Sequence, residues 1–193
     1  MTKRPTQDDS RENKQIEIFK LIPGPGRSNK YVEDATVEIK NKTYKIELKT
    51  SDAARRKIST SRDFGQNKID SWKTVDAFIF SLFSKTDGGF EFVEHYFLKP
   101  INLEPFFEHV VDKINKGVGG RAGLALWKDE VKPILESSNL PKSTIDAMEI
   151  TVTWGTKLND PRISWDKLKE WGGVKMDNNR LSEHLRELLA EAV

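Results

Sequence analysis

Residues 33–50 read Glu33-Asp34-Ala35-Thr36-Val37-Glu38-Ile39-Lys40-Asn41-Lys42-Thr43-Tyr44-Lys45-Ile46-Glu47-Leu48-Lys49-Thr50, and the fold is decided here. Two β-rich runs flank Asn41-Lys42, which predicts a hairpin with a two-residue turn. Asn41 suits the first turn position because asparagine tolerates a positive φ. With that turn Lys40 faces Thr43 and Ile39 faces Tyr44, and pairing continues outward until Asp34 stands opposite Lys49. Side chains alternate along a strand, so Ala35, Val37 and Ile39 share a face with Tyr44, Ile46 and Leu48. That face is apolar and belongs in a core. The other face carries Asp34, Thr36, Glu38, Lys45, Glu47 and Lys49.

The polar face holds the chemistry. Diagonal neighbours across a strand pair stand roughly 7–8 Å apart, and their side-chain tips come closer. Asp34 and Glu47 therefore converge on one oxygen-loving cation, with the Lys49 ammonium beside them. Mg²⁺ takes one or two carboxylates and fills its shell with waters and phosphate oxygens. A metal there stabilises the charge of an in-line displacement at phosphorus and activates the attacking water. Lys49 then positions that water or neutralises the phosphate. The competing reading is a solvated hairpin face with cross-strand ion pairs such as Glu38–Lys45.

Asp34, followed by Glu47-Leu48-Lys49 on the next strand, resembles the PD-(D/E)xK nuclease superfamily, especially the small type II restriction endonucleases. Glu33 stands where the name of that family has a proline. The resemblance covers the hairpin and, more loosely, residues 14–84. It implies an α/β fold with a mixed central β-sheet flanked by helices, and a restriction-endonuclease-like core. It implies Asp34 and Glu47 as ligands of Mg²⁺, with Mn²⁺ as a substitute, and Lys49 as the third catalytic residue. Related nucleases often place a further acid on the first helix, which makes Glu17 the accessory candidate. The implied activity is sequence-specific hydrolysis of double-stranded DNA within a restriction system. A palindromic target would call for a two-fold homodimer. The alternatives are a DNA-repair or Holliday-junction nuclease of the same fold, and a non-catalytic nucleic-acid-binding domain.

Composition sets the outer bounds. With 193 residues, the chain is long enough for one domain with a substantial core. No run approaches 18 apolar residues, and the N-terminus lacks the apolar centre of a signal peptide, so a cytoplasmic protein is expected. There is no cysteine, which excludes disulfides, thiolate zinc sites and cysteine nucleophiles. Net charge is only +2, but the basic residues concentrate toward the N-terminal side. A basic half and a slightly acidic half suit a protein that meets a polyanion on one side.

Residues 1–12 are expected as a flexible tail and 13–193 as one domain. Its catalytic core is expected over about 13–98, with recognition or dimerisation additions over about 99–193. A first helix running from about Ser10 to Leu21 stops at Pro23-Gly24-Pro25-Gly26. After the hairpin, Arg55-Arg56-Lys57 is the densest basic run, and Ser59, Ser61 and Arg62 follow it. Hydroxyls and basic groups are the usual donors to phosphate, so all six are candidate DNA contacts. The spacing of Phe64, Ile69 and Trp72 predicts a helix over 61–73, and the apolar run 75–83 predicts a buried strand parallel to the second hairpin strand. A strand over 90–98, with His95 on it as a structural histidine, and a helix over 102–116 follow. Arg121 is placed at the tip of a glycine-rich loop that reads either as a DNA contact or as a connector. Residues 124–139 read as helix with a break near Pro133, and the alternation in 144–154 predicts a strand. A short helix over 164–171 comes next, and the last, about 178–191, turns its leucines toward a core or a dimer partner.

Overall fold

The computed structural model describes residues 7–24, 33–116, 121–154 and 157–191. Helix α1 (Gln7–Ile18) and strand β1 (Ile22–Pro23) lead to the hairpin strands β2 (Ala35–Ile39) and β3 (Lys42–Asp52). Then come β4 (Lys57–Ile58), α2 (Gln66–Lys73), β5 (Ala77–Thr86), β6 (Gly89–Leu98) and, after a 3₁₀ turn at Pro100–Leu103, α3 (Glu104–Lys116). The remainder is α4 (Arg121–Leu126), a π-helical turn (Trp127–Val131), α5 (Lys132–Glu136), α6 (Lys142–Trp154), β7 (Ile163–Ser164), α7 (Trp165–Glu170), β8 (Val174–Lys175) and α8 (Leu181–Ala190). Six strands form one mixed sheet in the order β1-β2-β3-β5-β6-β8, in which β3 and β5 are parallel and the other pairs antiparallel.

The hairpin turns one residue earlier than the sequence suggests. Lys40 and Asn41 occupy the turn, with φ of 48° and 65°, so both take the left-handed conformation of a primed two-residue turn. Ile39 then pairs with Lys42, Val37 with Tyr44 and Ala35 with Ile46. One step further along this register, Asp34 comes opposite Glu47 rather than Lys49. Each residue's partner changes by two positions, so every side chain keeps its predicted face.

The first of two compact units comprises residues 1–60, 70–105 and 162–193, within the described limits. The apolar hairpin face packs with Phe19, Leu21, Ala77, Ile79, Phe97, Leu185 and Leu189. The α8 leucines thus line this core; burial of each stabilises by roughly 1.5–3 kcal/mol. Strand β5 is buried continuously from Ala77 to Phe83. Its parallel register on β3 is set by Asp76, whose carboxylate accepts a hydrogen bond from the Lys45 amide at 2.7 Å and whose own N–H donates to the Lys45 carbonyl at 2.9 Å. The stretch beyond residue 162 completes the sheet, because β8 pairs with β6 through Phe97–Val174. Arg186 on α8 donates to the carbonyls of Phe19 and Lys20 at 3.2 and 3.1 Å, just past the end of α1. Helix α1 itself takes in residues 7–12 of the expected flexible tail, and residues 1–6 lie outside the described residues. Its buried Gln15 and Phe19 anchor it, one turn apart.

The second unit comprises 61–69 and 106–161, and is described by itself. Phe106, Phe107, Val110 and Ile114 form its buried α3 stripe, with Phe64 edge-on to Phe106 at 5.4 Å. The expected strand over 144–154 is instead helix α6. Its first turn starts behind Pro141, whose carbonyl accepts from the Thr144 amide at 3.0 Å, and Lys132 of α5 pairs with Glu149 at 2.7 Å. Ile145 is buried, while Met148 and Ile150 stay exposed. The π-helical turn lies immediately before Pro133, whose missing N–H interrupts the α ladder. Among the described residues no helix is long and apolar enough to cross a membrane.

Candidate active site

Asp34, Glu47 and Lys49 meet on the polar side of the hairpin. The Lys49 ammonium lies 2.7 Å from Glu47 Oε1 and 3.7 Å from Asp34 Oδ2. Asp34 is fixed by its own strand end: Oδ2 accepts from the Leu48 amide at 2.9 Å, and its carbonyl accepts from the Gly24 amide at 2.9 Å. Gly24 is required there, since a β-carbon would stand 2.9 Å from the Asp34 carbonyl oxygen and closer still to that of Glu33. Glu47 is 4% exposed and lies beneath Lys49. Burial pulls the Lys49 pKa down, but Glu47 and Asp34 outweigh it and hold the ammonium above its ordinary value. Lys49 is therefore a charged donor at neutral pH. Its ammonium also sits over the Trp72 ring, 5.6 Å from the centroid.

The site opens into a cleft of about 390 Å³. Arg11, Arg55, Lys57, Lys85 and Arg162 line it with Thr50, Ser59 and Thr60, beside Glu12, Asp34 and Asp52. The Arg11 guanidinium rests on Phe83 at 4.4 Å, and its Nε lies 3.3 Å from Thr50 Oγ1. Asp52 is held below the usual carboxylate range, first by the Ala54 amide and also by Lys85 at 3.5 Å, against the opposing effect of burial.

The predicted residues divide. Arg55, Lys57 and Ser59 line the cleft. Arg56 does not: its guanidinium binds Asp166 at 2.6 Å, and its carbonyl accepts from the Trp165 amide at 3.0 Å. Ser61 and Arg62 belong to the second unit, where the Ser61 carbonyl accepts from the Asp160 amide at 2.7 Å. Arg121 is the first residue of α4 rather than a loop tip, and residues 117–120 before it lie outside the described residues. Glu17 corrects most plainly. It is exposed and paired with Lys14 at 3.2 Å. The α1 acid on the cleft is Glu12, which adds to the field that keeps Lys49 charged. Glu12 lies on the helix face of Ile16 and Phe19, at i−4 and i−7, a phase available from the sequence.

A buried polar chain backs the site. Gln15 Nε2 lies 3.2 Å from the Lys49 carbonyl oxygen and 2.8 Å from Ser81 Oγ, and Ser81 Oγ lies 2.6 Å from His95 Nδ1. Burial pushes the His95 pKa down to about 4, against the pull of Glu94, so the ring is neutral and structural.

Two carboxylates address one positively charged point, where the ammonium stands in for a cation. That donor set suits Mg²⁺ or Mn²⁺, which fill the remaining positions with water and substrate oxygens. Among the described residues no group of three or more histidine, cysteine or carboxylate side chains is arranged to hold a metal. No protein-family model matches the chain, and comparison with curated proteins finds no match.

Proposed function

We propose that this chain is a Mg²⁺-dependent DNA endonuclease of the restriction type, acting on double-stranded DNA as a homodimer. One observation carries the reading: Asp34, Glu47 and Lys49 meet beside a cleft that Asp34 and Lys49 line and whose wall supplies five further basic side chains. Asp34 and Glu47 would hold the ion, and Mn²⁺ would substitute. When bound, the ion supplies Lewis-acid stabilisation at phosphorus and an activated water. Lys49 donates to a non-bridging phosphate oxygen as an ammonium. Arg11, Arg55, Lys57 and Arg162 grip flanking phosphates, which positions the backbone without reading bases. Glu12 takes the accessory place first given to Glu17.

A non-catalytic nucleic-acid-binding cleft is the second reading. It is favoured by the pairing of the Lys49 ammonium with both carboxylates. Plasmid and branched DNA incubated with Mg²⁺ separate the readings. Discrete fragments that disappear with Glu47→Ala support the restriction reading. Cutting confined to branched DNA selects the junction nuclease. Retained DNA binding without cleavage of any substrate selects the binding module.

A further inference from the structure

A second cavity, of about 520 Å³, lies in the first unit and is predominantly apolar. Ile18 of α1, Leu181 of α8, and Phe90 and Phe92 of β6 form its walls, and His95 lines it as well. The aromatic rings stand in a row: Phe90 is edge-on to Phe92 at 5.3 Å, and Phe92 to His95 at 5.2 Å. Such rings favour a flat aromatic guest. The cavity is open to solvent on one side, and its volume is that of a small-molecule site.

His95 is 2% exposed and has one polar atom to spare. Gln15 Nε2 reaches the Lys49 carbonyl as well as Ser81 Oγ, so its amide nitrogen is the group that points there and Ser81 accepts. The Ser81 hydroxyl proton has His95 Nδ1 within reach at 2.6 Å, and we assign the ring its Nε2–H tautomer on that ground. Among the described residues no hydrogen-bond acceptor meets that N–H. Among the described residues the buried side-chain nitrogens without a partner are those of Trp72 and Trp127, so the His95 Nε2–H is open to the cavity it lines, where a ligand's acceptor can take the place of water.

We propose that this cavity binds a small, uncharged aromatic molecule bearing one hydrogen-bond acceptor, oriented by the His95 Nε2–H. The His95 Nε2–H calls for an acceptor on the guest, which a simple cation lacks. An anion is disfavoured because Lys14 at the rim is paired with Glu17 and because Glu91 also lines the cavity. The site stands independently of the reaction proposed above: a chain that cuts no DNA still carries it.

The test uses the full chain with ¹⁵N-labelled histidine, titrated with acetophenone and, separately, with ethylbenzene, which has the same carbon skeleton and no acceptor. The expected result is a saturable shift of the His95 ring nitrogens and about tenfold tighter binding of acetophenone, the advantage one buried hydrogen bond gives. Leu181→Trp fills the cavity and abolishes the shift. Asn178→Trp, at an exposed position on the lining, is a second block that leaves the core untouched. Equal affinity for the two probes, no saturable shift, or a shift that survives both substitutions overturns the proposal.

Discussion

The side-chain amide of Gln15 on α1 donates to the backbone carbonyl of Lys49 on β3 at 3.2 Å, so the helix carrying Arg11 and Glu12 is bonded to the lysine at the centre of the cleft. Gln15→Leu keeps the volume but strands Ser81 Oγ and that carbonyl. The expected cost is about 1–3 kcal/mol in urea denaturation. If the cleft cuts DNA, kcat falls more than KM rises, because phosphate grip stays while Lys49 loosens. Unchanged stability would show that the bond carries no weight.

Lys49→Met removes the ammonium that lies 2.7 Å from the buried Glu47 carboxylate. Loss of about 3–5 kcal/mol is expected at neutral pH. Glu47→Gln with Lys49→Met removes both charges and recovers most of that loss; a double-variant cycle in denaturant reads the coupling. On the nuclease reading, every one of these variants loses at least about 10²-fold in cleavage rate with Mg²⁺. A variant folded as wild type and cutting at the wild-type rate would remove the site from the chemistry.

Arg55, Lys57 and Arg162 line the cleft, and Arg56 turns to Asp166. Each of Arg55→Ala, Lys57→Ala and Arg162→Ala should flatten the dependence of log K for DNA on log salt by about 0.9. Arg56→Ala should leave that slope alone. A filter-binding series from 50 to 200 mM salt, roughly the span over which such contacts separate, distinguishes the two groups. Equal slopes for all four variants would place DNA elsewhere.

Much of this architecture was legible in the sequence, and the failures have physical causes. The hairpin faces survived a misplaced turn because strand parity is indifferent to a two-position change of partner. Strand β5 was legible because burial on both faces leaves an unbroken apolar run. Helix α6 was misread because Thr144 to Trp154 alternates over a span where periods of 2 and 3.6 both find matches; the start behind Pro141 was the better guide. Glu17 was chosen for its type, whereas helix phase selects Glu12. Arg11 and Arg162 reach the cleft from far along the chain, and no local pattern announces such a meeting.

His95 sets an acid limit. Its pKa falls from 6.5 to about 4 on folding because burial disfavours the charged ring. The unfolded chain therefore binds the proton more readily between those values, and stability falls as pH drops through that window. The contribution is about 3 kcal/mol, fully present above the ordinary histidine pKa and gone below about pH 4. Asp52, also lowered, acts below its ordinary 3.8 and so leaves this window clear. Denaturation from pH 7 to pH 4 should show the slope in wild type and lose it in His95→Phe.

Arg186 secures the end of α1 across 167 positions of sequence. On the ribosome, the helix that brings Arg11 and Glu12 to the cleft emerges long before the arginine that fastens it. A half-synthesised chain holds the hairpin acids and the Gln15 bond that ties α1 to Lys49, while the C-terminal end of that helix still lacks its clamp. The wall of the cleft is fastened in two stages, and the second waits for α8.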